Sequence, residues 1–359
     1  MLIGRIKKIC VSLVSLTLVG LAVWCVGQRA SGFVTNENTA LMAAAMTMSK
    51  GNITAKSPTE ATEKAKEQTP KEKKQVINVE KTSTTFSSDY YNSEADHGDA
   101  VKYPVYSRTI DDGGESYDNF MVRNTTSFPF DIGSELNSKL GFKLEKSDDV
   151  QVLIYHTHTS ESYLDRDVGY YYSDYYPRTS DERYNVTQVG EAIAEQLRQA
   201  GIGVIHDTTV HDTTYNGSYD RSIVTVNSYI KKYPKIKVTL DIHRDSIGAD
   251  DYKVKPTFTY NGKKGAQIMI MSGYDEDGSY GFPDWEKNLR FALKLQKNCE
   301  DNFPQMTRPL NFGDFVYNMN VNTGSLLIEV GTDSNTLDEA VYSGNLLGKA
   351  LAQVLQNNI

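Results

Sequence analysis

Short apolar runs recur along the second part of the chain, at 150–155, 203–205, 236–242, 266–271 and 325–330. Runs of this length bounded by polar or turn residues read as strands, mostly buried on both faces. Helical spacing appears between them. Val186, Val189, Ile193 and Leu197 share one face, Asn185 followed by Gln188 predicts a capping box, and Gly201 supplies the stop. Further helices are predicted over 219–233 before Pro234, over 285–302 before Pro304, and over 337–356. Strands alternating with helices predict an α/β fold with a single mostly parallel sheet flanked by helices. The domain is expected over 125–359, an ordinary size for one unit.

The N-terminal part has a different pattern. Arg5, Lys7 and Lys8 precede an uncharged apolar run over 9–26, and Arg29 follows. Spanning a bilayer takes roughly 17–25 apolar residues, so 1–29 is expected to be a cytoplasmic n-region and transmembrane anchor. The basic flank places the N-terminus in the cytoplasm and the remainder outside. A cleaved signal peptide is the competing reading, with Ala30, Ser31 and Gly32 as a weak cleavage site, but its core is usually ~7–15 residues. Residues 30–124 are expected to be an extracytoplasmic linker, largely disordered. The stretch 50–82 is rich in Lys, Glu, Thr and Pro and has too few apolar residues to offset its ordering entropy. The Ser-, Asp- and Tyr-rich stretch 83–124 is either more stalk or an ordered arm packed on the domain.

Composition narrows the function. The net charge of −8 over 359 residues argues against nucleic acid, which needs clustered Lys and Arg. Cys10 and Cys25 lie with the anchor, which leaves Cys299 alone in the body, so no CxxC metal or redox site exists.

The chemistry gathers at strand ends, where open α/β sheets place their sites. His156, His158 and Glu161 follow the first strand, Asp241, His243, Arg244 and Asp245 close a later one, and Glu329 and Gly331 end another. Imidazole and carboxylate are ligand types of Zn2+, and a catalytic site takes three protein ligands and keeps one position open. His158 and Glu161, as His-x-x-Glu, with His243 from another strand form the expected metal set, and Glu329 the general base. A carboxylate amid Leu326, Leu327, Ile328 and Val330 is costly to bury unless it faces a cation. The pairs His206-Asp207 and His211-Asp212 read as capping and loop residues, with Asp207 or Asp212 as possible orienting partners of a histidine ligand. The tyrosine-rich stretch 170–176 is either a binding platform or a loop folded on its own domain.

At VLIYHTHTSESY (152–163), NVTQVGEAIAEQL (185–197), GIGVIHD (201–207), DIHRDS (241–246) and LLIEVGTDSNT (326–336), the chain closely resembles the stage II sporulation protein P family. More distantly it is similar to zinc-dependent N-acetylmuramoyl-L-alanine amidases, whose E-x-G-x-x-x-N element fits Glu329, Gly331 and Asn335. The resemblance implies an amidase or zinc-carboxypeptidase-like fold and a peptidoglycan hydrolase of septal thinning and engulfment in endospore formation. It implies cleavage of stem peptides and of cross-links, in the mother-cell septal membrane. It also implies partnership with stage II sporulation proteins D, a lytic transglycosylase, and M. Laid on the amidase pattern, His158 takes the first ligand's place and His156 falls two residues earlier. The middle ligand is Glu161 or, by the amidase pattern, Glu182. His156, Arg244, Asp245 and Asn335 are the expected substrate-binding or supporting residues. Two other readings stand beside this one: a metallocarboxypeptidase, with Arg244 holding the substrate carboxylate, and a non-catalytic wall-binding scaffold.

Overall fold

The computed structural model describes residues 90–359. The expected anchor and most of the expected stalk lie outside the described residues. Among the described residues no helix is long and apolar enough to cross a membrane.

In chain order the elements are β1 (Lys102–Arg108), β2 (Glu115–Tyr117), β3 (Phe120–Asn124), α1 (Ile132–Asn137), β4 (Val150–Tyr155), β5 (Tyr170–Tyr172), α2 (Thr187–Gln199), β6 (Gly203–His206), α3 (Ser218–Lys232), β7 (Val238–Asp245), β8 (Gly248–Ala249), β9 (Tyr252–Tyr260), β10 (Lys263–Ala266), β11 (Ile268–Gly273), α4 (Trp285–Asn302), β12 (Leu310–Gly313), β13 (Ser325–Thr332) and α5 (Leu337–Gln356). The apolar runs and helical patterns of the sequence thus reappear in β4, β6, β7, β11, β13 and α2 to α5.

The fold is mixed α/β, but the expectation of a single mostly parallel sheet needs correction. An eight-stranded sheet runs β2-β3-β12-β11-β13-β7-β4-β6, and a separate five-stranded sheet is built on β10-β9-β1-β5, with β8 beside β9. Within the larger sheet β6, β4, β7 and β13 are parallel neighbours, while β11 runs antiparallel to β13 and β2 antiparallel to β3. The second sheet rests on pairings between distant segments: β1 runs parallel to β9, and Tyr170–Tyr172 pairs antiparallel with β1. Strands β1 to β3, which lie before the expected domain start at 125, therefore belong to the two sheets. Of the two readings of 83–124, Tyr90–Asn124 follows the ordered arm.

The larger sheet is covered on both faces. Val152 and Ile154 of β4 join Leu240, Ile242, Ile328 and Val330 in a large core with residues of α2, α4 and α5. Leu153 and Tyr155 alternate to the other face and pack with Val226 of α3 and Ile236. Helices α2 and α5 approach closely because Gly344 and Gly348 stand one turn apart. A Cβ on Gly344 would lie 3.0 Å from the Val189 carbonyl oxygen, and one on Gly348 would lie 2.9 Å from that of Ile193. The predicted capping box at Asn185 is replaced by a local turn, in which Asn185 Oδ1 accepts from the Thr187 amide (3.1 Å) and hydroxyl (2.7 Å). A capping box forms instead at the start of α5, between Thr336 and Glu339.

Candidate active site at the ends of three parallel strands

Strand β7 lies between β4 and β13 and sets the site. In register, Tyr155 faces Asp241, Leu327 faces Asp241 from the other side, and Glu329 faces His243. Side chains on a strand alternate, so Asp241, His243 and Glu329 lie on the α3 side of the sheet, opposite Leu240 and Ile242. The segment leaving β4 is fastened to this face. The Thr157 amide donates to Asp241 Oδ1 (2.8 Å), its hydroxyl donates to Asp241 Oδ2 (2.6 Å), and that hydroxyl also meets Ser222 Oγ of α3 (2.7 Å).

This fastening carries His158 to His243, with ring centroids 5.3 Å apart and nearly perpendicular. Glu161 comes in from the same loop. Its Oε2 accepts from the Arg244 amide (3.0 Å) and lies 3.5 Å from His243 Nδ1. Its Oε1 lies 3.6 Å from Arg178 and 3.8 Å from the Arg244 guanidinium. Arg178 in turn is held by Asp212 at 2.8 Å, and Asp212 also accepts from the Ser160 hydroxyl.

Burial dominates the electrostatics. It would raise the Glu161 carboxyl, but Arg244, then His243 and His158, hold it well below the usual carboxylate range. Burial pushes His158 down to about 3, against the pull of Glu161, so its imidazole is neutral and able to act as a ligand. His243 is raised well above its ordinary value, because Asp241 and Glu161 together outweigh its burial. Glu329 is pushed up to about 8, first by burial and then by the charge of Asp245. As a residue Glu329 is partly open to solvent, yet its Oε2 is shielded and without a hydrogen-bond partner. The shielded oxygen is what raises the carboxyl.

The structure brings His158, Glu161, His243 and Glu329 into one neighbourhood. Glu182, the alternative middle ligand, is exposed. His156 is fully buried and engaged elsewhere: its Nδ1 meets the Ile242 carbonyl (2.8 Å) and its Nε2 meets His206 (2.9 Å). The Arg244 guanidinium braces the loop through the carbonyls of Ser162 (3.2 Å) and Pro177 (2.8 Å). Asp245 accepts from Arg308 (2.9 Å), and Asn335 shapes the turn after β13 by accepting from the Thr332 amide (2.9 Å) and donating to Glu339 (2.9 Å). Asp207 accepts from Thr209 and Tyr229 and takes no part in the cluster.

Several contributors escaped the sequence reading. Asp241 stood inside a quoted motif without a role, although an acidic residue two positions before a ligand histidine shares its face of a strand. Arg178 and Arg308 carry no local signal, and Asp212, expected as an orienting partner of a histidine, instead holds Arg178 and Ser160. Tyr215, whose ring lies parallel to that of His158 at 4.7 Å, and Tyr219, 5.6 Å from it, have no role in the sequence reading. The stretch 170–176 is folded onto the domain: Tyr171 is buried and Tyr175 donates to the Asp333 carbonyl.

Among the described residues no group of three or more His, Cys, Asp or Glu is placed so that it could hold a metal ion. The cluster's donors pair with one another instead. Imidazole and carboxylate are nevertheless the donor types that a divalent ion takes. His158 Nδ1 and Glu329 Oε2 are buried without a hydrogen bond, and such orphans in a native interior point to a missing partner. His243 Nε2 is ion-paired with Asp241 Oδ1 at 2.9 Å, which leaves Nδ1 as the ring nitrogen facing Glu161. His243 Nδ1 and Glu161 Oε2 lie 3.5 Å apart, so the two donors that would hold the ion face each other.

Fold and site together define an α/β protein with a buried histidine and carboxylate centre at the ends of parallel strands. The chain belongs to the Stage II sporulation protein P family, which matches it over residues 26–352. A curated relative, stage II sporulation protein P of Bacillus subtilis (strain 168), is 28% identical over 215 residues. That match covers 56% of this chain and 50% of the relative, so the chain spans about half the length of the curated relative it matches. Among solved structures, N-acetylmuramoyl-L-alanine amidase AmiC2 of Nostoc punctiforme is 12% identical, with 59% of this chain and 98% of that one covered and a TM-score of 0.34. The N-acetylmuramoyl-L-alanine amidase from Clostridium difficile 630 is 18% identical, with 59% and 97% covered and a TM-score of 0.34.

Proposed function

We propose that this chain is a membrane-anchored, metal-dependent peptidoglycan hydrolase. It acts as an N-acetylmuramoyl-L-alanine amidase and as an endopeptidase on peptide cross-links, in septal thinning and engulfment during endospore formation. Membership of the sporulation family supports the setting. The observation that carries the chemistry is the register of β13 on β7, which sets Glu329 beside His243 with His158 and Glu161 facing them. In this reading His158, Glu161 and His243 hold a zinc ion. When bound, the ion supplies Lewis-acid polarisation and a more acidic water. Glu329 accepts a proton at its carboxyl and returns it to the leaving amine. A group whose carboxyl is pushed up to about 8 by burial and Asp245 exchanges protons in the neutral range. Asp241 fixes the segment bearing His158, and Asp212 fixes Arg178 beside Glu161.

The metallocarboxypeptidase reading loses its motif-adjacent anchor, since the Arg244 guanidinium is buried against two carbonyls and near Glu161. A scaffold has no use for buried orphan polar atoms, each of which costs about 1–3 kcal/mol. The N-terminal apolar segment tethers the enzyme, and stage II sporulation proteins D and M are its partners in this reading.

The test is hydrolysis of cross-linked muropeptides by the full chain in detergent with zinc, with products read by mass. Wild type is expected to release intact stem peptides, and Glu329→Gln to lower the rate by on the order of 10²–10⁴-fold. Equal rates for both proteins would sink the mechanism. Release of single terminal amino acids would favour the carboxypeptidase.

A further inference from the structure

Three tyrosines from two distant segments converge on the cluster. Tyr215 lies parallel to the His158 ring at 4.7 Å and is still 46% exposed. Tyr219, on the first turn of α3, has its ring 5.6 Å from His158 and 6.4 Å from His243. Tyr317, from the segment between β12 and β13, stacks on Tyr219 at 5.2 Å. Among the described residues no hydrogen bond engages any of the three hydroxyls.

Tyr317 is held in place at a conformational cost. Tyr317 and Asn318 have φ of 40° and 58°, two successive side-chain-bearing residues in the left-handed region. Such backbone persists where the surroundings over-determine it, and it clusters at ligand clamps. Here Asn318 Nδ2 donates to the Tyr219 carbonyl (3.0 Å) and to Ser222 Oγ (3.1 Å), which locks the Tyr317 segment onto α3.

We infer that Tyr215, Tyr219 and Tyr317 form the wall that receives the sugar side of the substrate, an N-acetylated hexosamine unit. This rests on the peptidoglycan reading above. Rings offer a pyranose its contact area, and free phenols offer donors to its acetamido and hydroxyl oxygens. The charge balance selects sugar over peptide. Arg178, whose Cζ is 5.3 Å from the Tyr215 ring, is already bonded to Asp212, so an anionic stem peptide finds no free counter-charge there.

The test is calorimetric binding to the full chain carrying Glu329→Gln, so that turnover plays no part. One ligand is the disaccharide bearing its stem peptide, and the other is the same stem peptide without sugar. Tyr215→Ala and Tyr317→Ala are each expected to weaken the disaccharide ligand by roughly fivefold to tenfold, the worth of one aromatic contact, and to leave the free peptide unchanged. Tyr215→Phe keeps the ring and is expected to lose less than Tyr215→Ala. Should Tyr317→Ala not fold, the exposed Tyr215 decides alone. Equal weakening of both ligands, no weakening of either, or no binding by the parent protein overturns the inference. A wild type that fails to hydrolyse while the Glu329→Gln chain binds sugar through Tyr215 would refute the hydrolase and keep the wall.

Discussion

Asp241 is the residue whose removal separates the two halves of the site, and its effect can be worked from its contacts. The carboxylate is 1% exposed, receives both the amide and the hydroxyl of Thr157, and lies 2.9 Å from His243 Nε2. Burial would raise it, yet His243 and then Thr157 hold it below its ordinary value, so it is charged in the folded protein. Asp241→Ala leaves the Thr157 amide without its acceptor and the buried His243 imidazole without its ion-pair partner. Breaking a buried pair of this kind costs about 3–5 kcal/mol. At about 2 °C per kcal/mol for a domain of this size, Tm is expected to fall by roughly 6–10 °C. Asp241→Asn keeps one acceptor oxygen and loses the charge, for about 1–3 kcal/mol. Thr157→Ala keeps the amide bond and removes the hydroxyl's contacts with Asp241 and Ser222, for about 1–3 kcal/mol. Urea unfolding of the two single variants and the double variant then gives a coupling energy, expected at about 0.5–3 kcal/mol. If Asp241→Ala loses less than about 1 kcal/mol, or the pair is additive, Asp241 does not fasten the segment bearing His158 and the reasoning fails.

Two further predictions concern the buried histidine pair behind the site. A Cβ at Gly190 would lie 2.5 Å from His206 Nε2 and 2.6 Å from His156 Nε2, and His156 is 0% exposed, so Gly190→Ala is expected to destabilise by about 1–3 kcal/mol in thermal unfolding. Helix propensity alone predicts the opposite sign, a gain of about 1 kcal/mol, so a rise in Tm would refute the packing. Burial lowers His206 from its ordinary value despite Glu191, so the unfolded chain takes up the proton first. Its contribution to stability is full above pH ~6.5 and is lost as pH falls below that, by at most about 1.4 kcal/mol per pH unit. His206→Gln is expected to flatten Tm against pH between ~7 and ~5 relative to wild type, and parallel curves would count against it.

Elements held together by local pattern were readable from the chain. Helices predicted over 285–302 and 337–356 coincide with α4 and α5, and the apolar run 150–155 coincides with β4. Pairing across long separations was not. The second sheet depends on β1 meeting β9, and the exposed alternation of β1 carries little apolar signal to announce it. The site divides in the same way. His158, Glu161, His243 and Glu329 stood out because imidazoles and carboxylates at the ends of apolar strands are unusual, and register then gathers them. The residues that hold them, such as Asp212 on Arg178, Arg308 on Asp245 and Tyr219 under Tyr317, meet through the tertiary fold, and their neighbours in sequence say nothing of it.

The central claim is that His158, Glu161 and His243 hold one metal ion beside Glu329. Elemental analysis of the purified full chain after dialysis against zinc tests it most directly. The account predicts about one zinc per chain in wild type and in Glu329→Gln, and on the order of a tenth of that or less in His158→Ala and His243→Ala, each still folded by circular dichroism. A wild type that binds no zinc, or histidine variants that retain it, would contradict the account.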